Sequence, residues 1–204
     1  MDTRSSDTNS NGAREASRRR SSRLKLWLVL ALCAAPVAAS FIAYYWMQPQ
    51  GHVNYGELLT PQPMPDAPLK ALDGSTFRFD DLKGAWVLLT AGGAACDERC
   101  RTKLVYTRQV RLAQGKNSER IERVWLVTDD KSPDAALLAE HPGLHVVSAG
   151  AGAAARALPA QTIPAAHVYV VDPLGNLMMR FPENPDPRRM LKDVSRLLRH
   201  SNWK

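Results

Sequence analysis

Two cysteines four residues apart, Cys96 and Cys100, are the side chains of this sequence best suited to chemistry. They follow a short apolar run, Trp86-Val87-Leu88-Leu89-Thr90, and a small-residue turn, Gly92-Gly93-Ala94-Ala95. From Cys96 to about Gln114 the chain is compatible with helix and contains no Gly or Pro. The run predicts a strand buried on both faces, and the turn lets the backbone approach its neighbours closely. Cys96 then falls at or just before the first turn of a helix, and Cys100 lies one turn further along the same face. The helix dipole there favours thiolate, which is both the nucleophile and the soft metal ligand.

The spacing leaves two chemistries open. Cβ atoms at i and i+4 of a helix lie roughly 5–6 Å apart, which suits two thiolates on one soft ion. A disulfide prefers Cβ atoms about 3.8 Å apart and needs a distortion at the helix start. The pair therefore leans toward Cu(I) or Zn(II), with copper the better match outside the cytoplasm, and still permits a disulfide. The plainer alternative is a structural disulfide or two ordinary thiols on a surface helix. A third ligand has to come from elsewhere. His167, just after Ile163-Pro164 and at the start of a predicted strand, is the first candidate metal ligand with Cys96 and Cys100. Its other reading is a half-buried strand residue. His141 and His145 flank Pro142-Gly143 and read as solvated turn residues, and His200 as an exposed one. Asp97 and Glu98 oppose thiolate formation while Arg99 and Arg101 favour it, so the local charge leaves the thiol acidity open.

The elements that position these residues emerge from the rest of the chain. Its net charge of +7 over 204 residues looks basic enough for nucleic acid. Residues 1–25, however, hold seven Arg or Lys against three Asp or Glu. The charge is thus partly a property of a polar N-terminal tail expected to be disordered, and no nucleic-acid partner is expected. Residues 26–47 carry no charge and are flanked by Trp27 at one end and by Tyr44, Tyr45 and Trp46 at the other. This reads as a transmembrane helix rather than a cleaved signal peptide, because the apolar stretch outruns a typical signal core. Basic residues precede it and none follows until Lys70. The tail is therefore expected in the cytoplasm and the remainder in the periplasm of a bacterial inner membrane. Residues 48–68, with five prolines, read as an extended linker. Only Cys96 and Cys100 then belong to the domain over 69–204, which indicates a redox pair or half a metal site rather than a disulfide framework.

Within that domain, strands are expected at 69–72, 76–79, 86–90, 123–128, 144–148, 166–171 and 177–181. Helices are expected from Cys96, from Ser132-Pro133 to about Glu140, over 153–158, and from Asp186-Pro187 to about His200. The last presents Met190, Leu191, Val194, Leu197 and Leu198 on one face. Alternating strands and helices followed by a hairpin and a closing helix give an α/β fold, a thioredoxin-like mixed sheet flanked by helices.

Lys83-Gly84-Ala85-Trp86-Val87-Leu88-Leu89, Gly92, Cys96, Cys100-Arg101-Thr102 and Leu104 together resemble the core of the Sco-type proteins. The likeness continues through Val124-Trp125-Leu126-Val127-Thr128-Asp129 and Tyr169-Val170-Val171-Asp172-Pro173-Leu174-Gly175. Sco proteins are membrane-anchored thioredoxin-fold factors for assembly of the copper site of cytochrome c oxidase. The resemblance implies that Cys96 and Cys100 handle copper or reduce oxidase cysteines. It implies an oxidase subunit or another assembly factor as partner. The family usually has proline after each cysteine, where this chain has Asp97 and Arg101. The family's copper-binding histidine falls at Pro164, three residues from His167. Ile163-Pro164 also resembles the cis-proline of thioredoxin-type thiol oxidoreductases. Two alternatives stay beside the Sco-like reading: a general extracytoplasmic thiol-disulfide oxidoreductase, and a non-catalytic thioredoxin-like scaffold.

Overall fold

The computed structural model describes residue 25, residues 27–42, residue 45, and residues 54–149, 152–159 and 163–201. The chain divides into two units, residues 1–51 and 52–204. In the first, residues 27–42 form helix α1, exposed along its length, with Phe41 stacked on Tyr45 at 6.5 Å. Among the described residues no helix is long and apolar enough to cross a membrane. The expected span over 26–47 includes residues outside the described ones, as does the expected tail up to residue 24.

The second unit is built on one eight-stranded sheet. Its strands are β1 (Glu57–Pro63), β2 (Leu69–Ala71), β3 (Thr76–Phe77), β4 (Trp86–Gly92), β5 (Ile121–Val127), β6 (Leu144–Ser148), β7 (Val168–Val171) and β8 (Asn176–Arg180). Their order is β1-β8-β7-β4-β5-β6-β2-β3. β4, β5 and β6 are parallel, and the other pairs are antiparallel. The helices are α2 (Glu98–Leu112), α3 (Ala135–Ala139), α4 (Ala153–Arg156) and α5 (Pro187–His200).

The unbroken apolar run of β4 follows from its central place. Val87, Leu89 and Ala91 enter one core with Val124, Leu126, Tyr169 and Val171. Trp86 and Leu88 enter the opposite core with Val170, Met190, Val194 and Leu198. Successive side chains of a strand face opposite sides, so a strand covered on both sides needs apolar residues at every position. Each such side chain contributes about 1.5–3 kcal/mol on full burial. Helix α5 supplies the face expected of it, with Met190, Val194 and Leu198 buried and Leu191 and Leu197 packed against them.

Three local expectations are corrected. The linker expected over 48–68 contains β1, which pairs with β8 at the edge of the sheet. Pro61 and Pro63 are accommodated because an edge strand has one side without a partner to donate to. The helix expected at Ser132-Pro133 starts later, because the Asp134 carboxylate accepts from Ala136 N at 3.0 Å and caps α3. The strand expected from Ala166 begins at Val168, because Pro164–Ala166 form a 3-10 turn. No cis peptide bond occurs among the described residues, so Ile163-Pro164 does not carry the cis bond of the oxidoreductases it resembles.

Candidate functional site

β4 delivers the chain to Gly93, and the turn beyond it is pinned from β5. The Asp129 carboxylate accepts from Ala94 N at 2.9 Å, and Thr128 N donates to Gly92 O at 3.0 Å. Gly93 needs its missing side chain, since a Cβ there would stand 2.9 Å from the Asp129 carboxylate. Cys96 follows with φ of +38°, in the left-handed region, and Asp97 caps α2 by accepting from Cys100 N at 2.9 Å. Cys96 therefore lies ahead of the helix and Cys100 in its first turn. Cys96 thus stands just before the first turn, as expected, and its left-handed backbone is the distortion at the helix start that a disulfide needs. The left-handed turn brings the two Cα atoms to 5.1 Å, within the range of a disulfide, and the sulfurs are bonded.

Both cysteines are buried and border a cleft of about 330 Å³, opposite Ile163, Ala165 and Ala166 of the segment before β7. Two contacts hold this segment and the residues after β8 against α2. Lys103, buried on α2, donates from Nζ to the Ala165 carbonyl. Burial pushes the Lys103 ammonium below its ordinary pKa, against the pull of the Asp97 and Glu183 carboxylates. At the rim Arg99 pairs with Glu183 at 3.0 Å, an exposed bridge worth at most about 1 kcal/mol. Lys103, Asp129 and Glu183 were not legible as site residues, since each is an ordinary charge in sequence. Ile163 projects from the rim, 72% exposed.

His167 goes elsewhere. Its Nδ1 is hydrogen-bonded to the Phe181 carbonyl oxygen at 2.8 Å and its ring lies against Tyr169. It does not border the cysteine cleft. Among the described residues no three His, Cys, Asp or Glu side chains are grouped to hold a metal ion. The cleft offers two soft sulfurs with the hard carboxylates of Asp97 and Glu183, and no imidazole. These residues do not fit a resident three-coordinate copper site of the kind the resemblance implies.

The other histidines are far from uniform. His200 is exposed and His145 sits 3.2 Å from Glu122. His141, expected in solvent, is 3% exposed, and neither ring nitrogen has a hydrogen-bond partner among the described residues. Burial lowers its pKa first, followed by the positive charges of Arg123 and Arg108, against Glu140. Since the folded-state value lies below the ordinary 6.5, the contribution to stability is full above that pH. It is lost as pH falls through 6.5, where the unfolded chain takes up a proton that the fold resists. The urea midpoint is expected to drop between about pH 8 and pH 5, and less so in His141→Phe. An equal drop in parent and variant would refute this origin.

A family described as the transmembrane-like, thioredoxin-like, C-terminal domain matches residues 86–201, more than half of the sequence. The chain belongs to this family. Its thioredoxin-like domain shares its fold with several solved structures. ScoI of Bradyrhizobium japonicum with copper bound is 18% identical, covers 66% of this chain and 99% of its own, and has a TM-score of 0.53. Apo Sco1 of Thermus thermophilus is 22% identical over 74% of this chain and 98% of its own, with a TM-score of 0.53. A putative thiol:disulfide interchange protein DsbE of Chlorobium tepidum is 21% identical over 70% and 99%, with a TM-score of 0.55. No curated protein matches the sequence significantly. Copper-bound Sco proteins and thiol-disulfide proteins thus carry the same thioredoxin-like fold as this domain.

Proposed function

We propose that this chain is a membrane-anchored, extracytoplasmic thiol-disulfide protein of Sco-like type. Through Cys96 and Cys100 it reduces the copper-site cysteines of an oxidase subunit or of another assembly factor. The observation that carries the reading is the Cys96–Cys100 disulfide at the start of α2, bordering a cleft without a third soft ligand. In the reduced state, the Cys96 thiolate attacks one sulfur of a partner disulfide and expels the other as thiolate. Cys100 then attacks the Cys96 sulfur of the mixed disulfide and expels the second partner thiolate. Two electrons pass to the partner, and the pair returns to the disulfide until an external dithiol reduces it. Exposed Ile163 offers the partner an apolar contact beside the sulfurs.

Copper carried briefly by the two reduced sulfurs is the second reading, favoured by the copper-bound Sco structure of the same fold. The anchor reading rests on the uncharged stretch over 26–47 and the arginines before it, and a periplasmic reporter fused after Lys204 should be active.

The test uses the full-length chain in detergent. The disulfide is expected to equilibrate reversibly with a dithiol buffer, and His167→Ala is expected to leave Cu(I) affinity unchanged. A pair that cannot be reduced and reoxidised under these conditions defeats the exchange reading. A loss of about 10-fold in Cu(I) affinity in His167→Ala would restore a three-ligand copper site.

A further inference from the structure

Trp125 sits in the middle of β5, fully buried, in the same core cluster as Cys96 and Cys100. Its indole Nε1 has no hydrogen-bond partner among the described residues. An indole N–H can only donate, and a buried one without an acceptor is costly to the fold. Trp86, by contrast, donates from its indole to Ser201 Oγ at 3.0 Å. The Trp125 N–H and the Cys100 sulfur both face Gly92. A Cβ built on Gly92 would lie 3.9 Å from Trp125 Nε1 and 4.0 Å from Cys100 Sγ, so both atoms border the same small space. Gly92 leaves that space open.

The disulfide sulfur is a poor acceptor, and a thiolate is a strong one. The geometry points to Trp125 as the donor that stabilises the Cys100 thiolate once the disulfide is reduced. The Cys100 backbone N–H cannot take this role, because it already donates to Asp97. Reduction breaks the S–S bond with two electrons from the dithiol, and the Cys100 sulfur then accepts the indole hydrogen bond. A donor to the thiolate stabilises the reduced state, lowers the Cys100 pKa and makes the pair more oxidising. Trp125 thereby sets how readily Cys100 leaves Cys96 or attacks it. This inference rests on the reading of Cys96 and Cys100 as an exchanging pair.

The test measures alkylation of the reduced full-length chain against pH, together with its equilibrium with a dithiol buffer. Trp125→Phe keeps an aromatic ring and removes the N–H donor. It is expected to raise the apparent pKa of Cys100 by about one unit, a tenfold loss of thiolate at a given pH. The thiol-disulfide equilibrium should shift about tenfold, or about 30 mV toward the more reducing side. Gly92→Ala places a methyl at ordinary contact distance from both groups and should shift both readouts in the same direction with Trp125 intact. In the parent, the Trp125 indole proton resonance should move on reduction while that of Trp86 stays. A parent that exchanges normally, with unchanged pH profiles in both variants, overturns the role of Trp125 and leaves the exchange reading standing. A parent that does not exchange defeats the exchange reading. In that case an indole resonance unmoved by chemical reduction overturns this inference separately.

Discussion

Cys100→Ser is expected to trap a covalent mixed disulfide between Cys96 and a partner thiol, and Cys96→Ser is expected to abolish exchange without trapping anything. The asymmetry follows from where the two residues stand. Cys96 lies in the turn ahead of α2, whereas Cys100 is fixed in the first helical turn with its backbone N–H held by Asp97. Its sulfur borders Gly92. The residue in the turn is the better placed to attack outward, and the residue in the helix to resolve. The effect is separable from loss of structure. A disulfide closing so short a loop, with a sequence separation of 4, contributes only about 2 kcal/mol through chain entropy. The domain also has two buried apolar clusters that include neither cysteine. Both variants should therefore remain folded by circular dichroism, while mass spectrometry of non-reduced samples shows an adduct only with Cys100→Ser. Adducts of equal yield from both variants would refute the assignment of roles.

The sheet was legible because its signals are local. The apolar run of β4, the Asp172 to Asn176 turn, and the period of α5 each reflect the environment a few residues away. At that turn Asp172 accepts from Leu174 N at 2.9 Å and Asn176 N at 2.8 Å, so turn chemistry alone specifies the β7–β8 hairpin. β1 was hidden because its prolines read as linker, and only its pairing with β8 gives it a strand's hydrogen bonds. The cysteine pair was visible, but its geometry was not. A left-handed Cys96 is not implied by any residue type, and it converts a spacing that favours metal in a regular helix into one that closes a disulfide. Lys103, Asp129 and Trp125 join the site through tertiary contacts, Lys103 with the segment before β7 and the other two from β5 or the turn after it. His141 misled for a related reason. A Pro-Gly neighbour indicates a turn, and Pro142 and Gly143 are indeed exposed, but the His141 side chain before them is buried in the fold.

Asp193→Ala is expected to give the largest loss of stability of any single substitution on α5. The carboxylate is 3% exposed and accepts from two backbone donors, Tyr55 N at 2.7 Å and Gly56 N at 2.8 Å. Both donors belong to the segment leading into β1. That segment is held to α5 by further contacts: Arg189 over the Tyr55 ring at 4.0 Å, and Asp186 N donating to the Tyr55 hydroxyl at 2.9 Å. Gly56 can approach so closely only without a side chain, since a Cβ there would stand 2.6 Å from Met179 Sδ. Removing the carboxylate leaves two inward-facing N–H groups without an acceptor. Hydrogen bonds to a charged acceptor are worth about 1.5–3 kcal/mol each, so a loss of about 3–5 kcal/mol is expected. For a domain of this size that is a fall in Tm of roughly 6–20 °C. Asp193→Asn, which keeps an acceptor oxygen, should lose less than half as much. Amide hydrogen exchange should show β1 opening before the central strands, because the anchor acts on the edge of the sheet. An Asp193→Ala protein that melts within about 2 °C of the parent, with β1 amides protected as before, would show that the segment is held by its ring contacts instead.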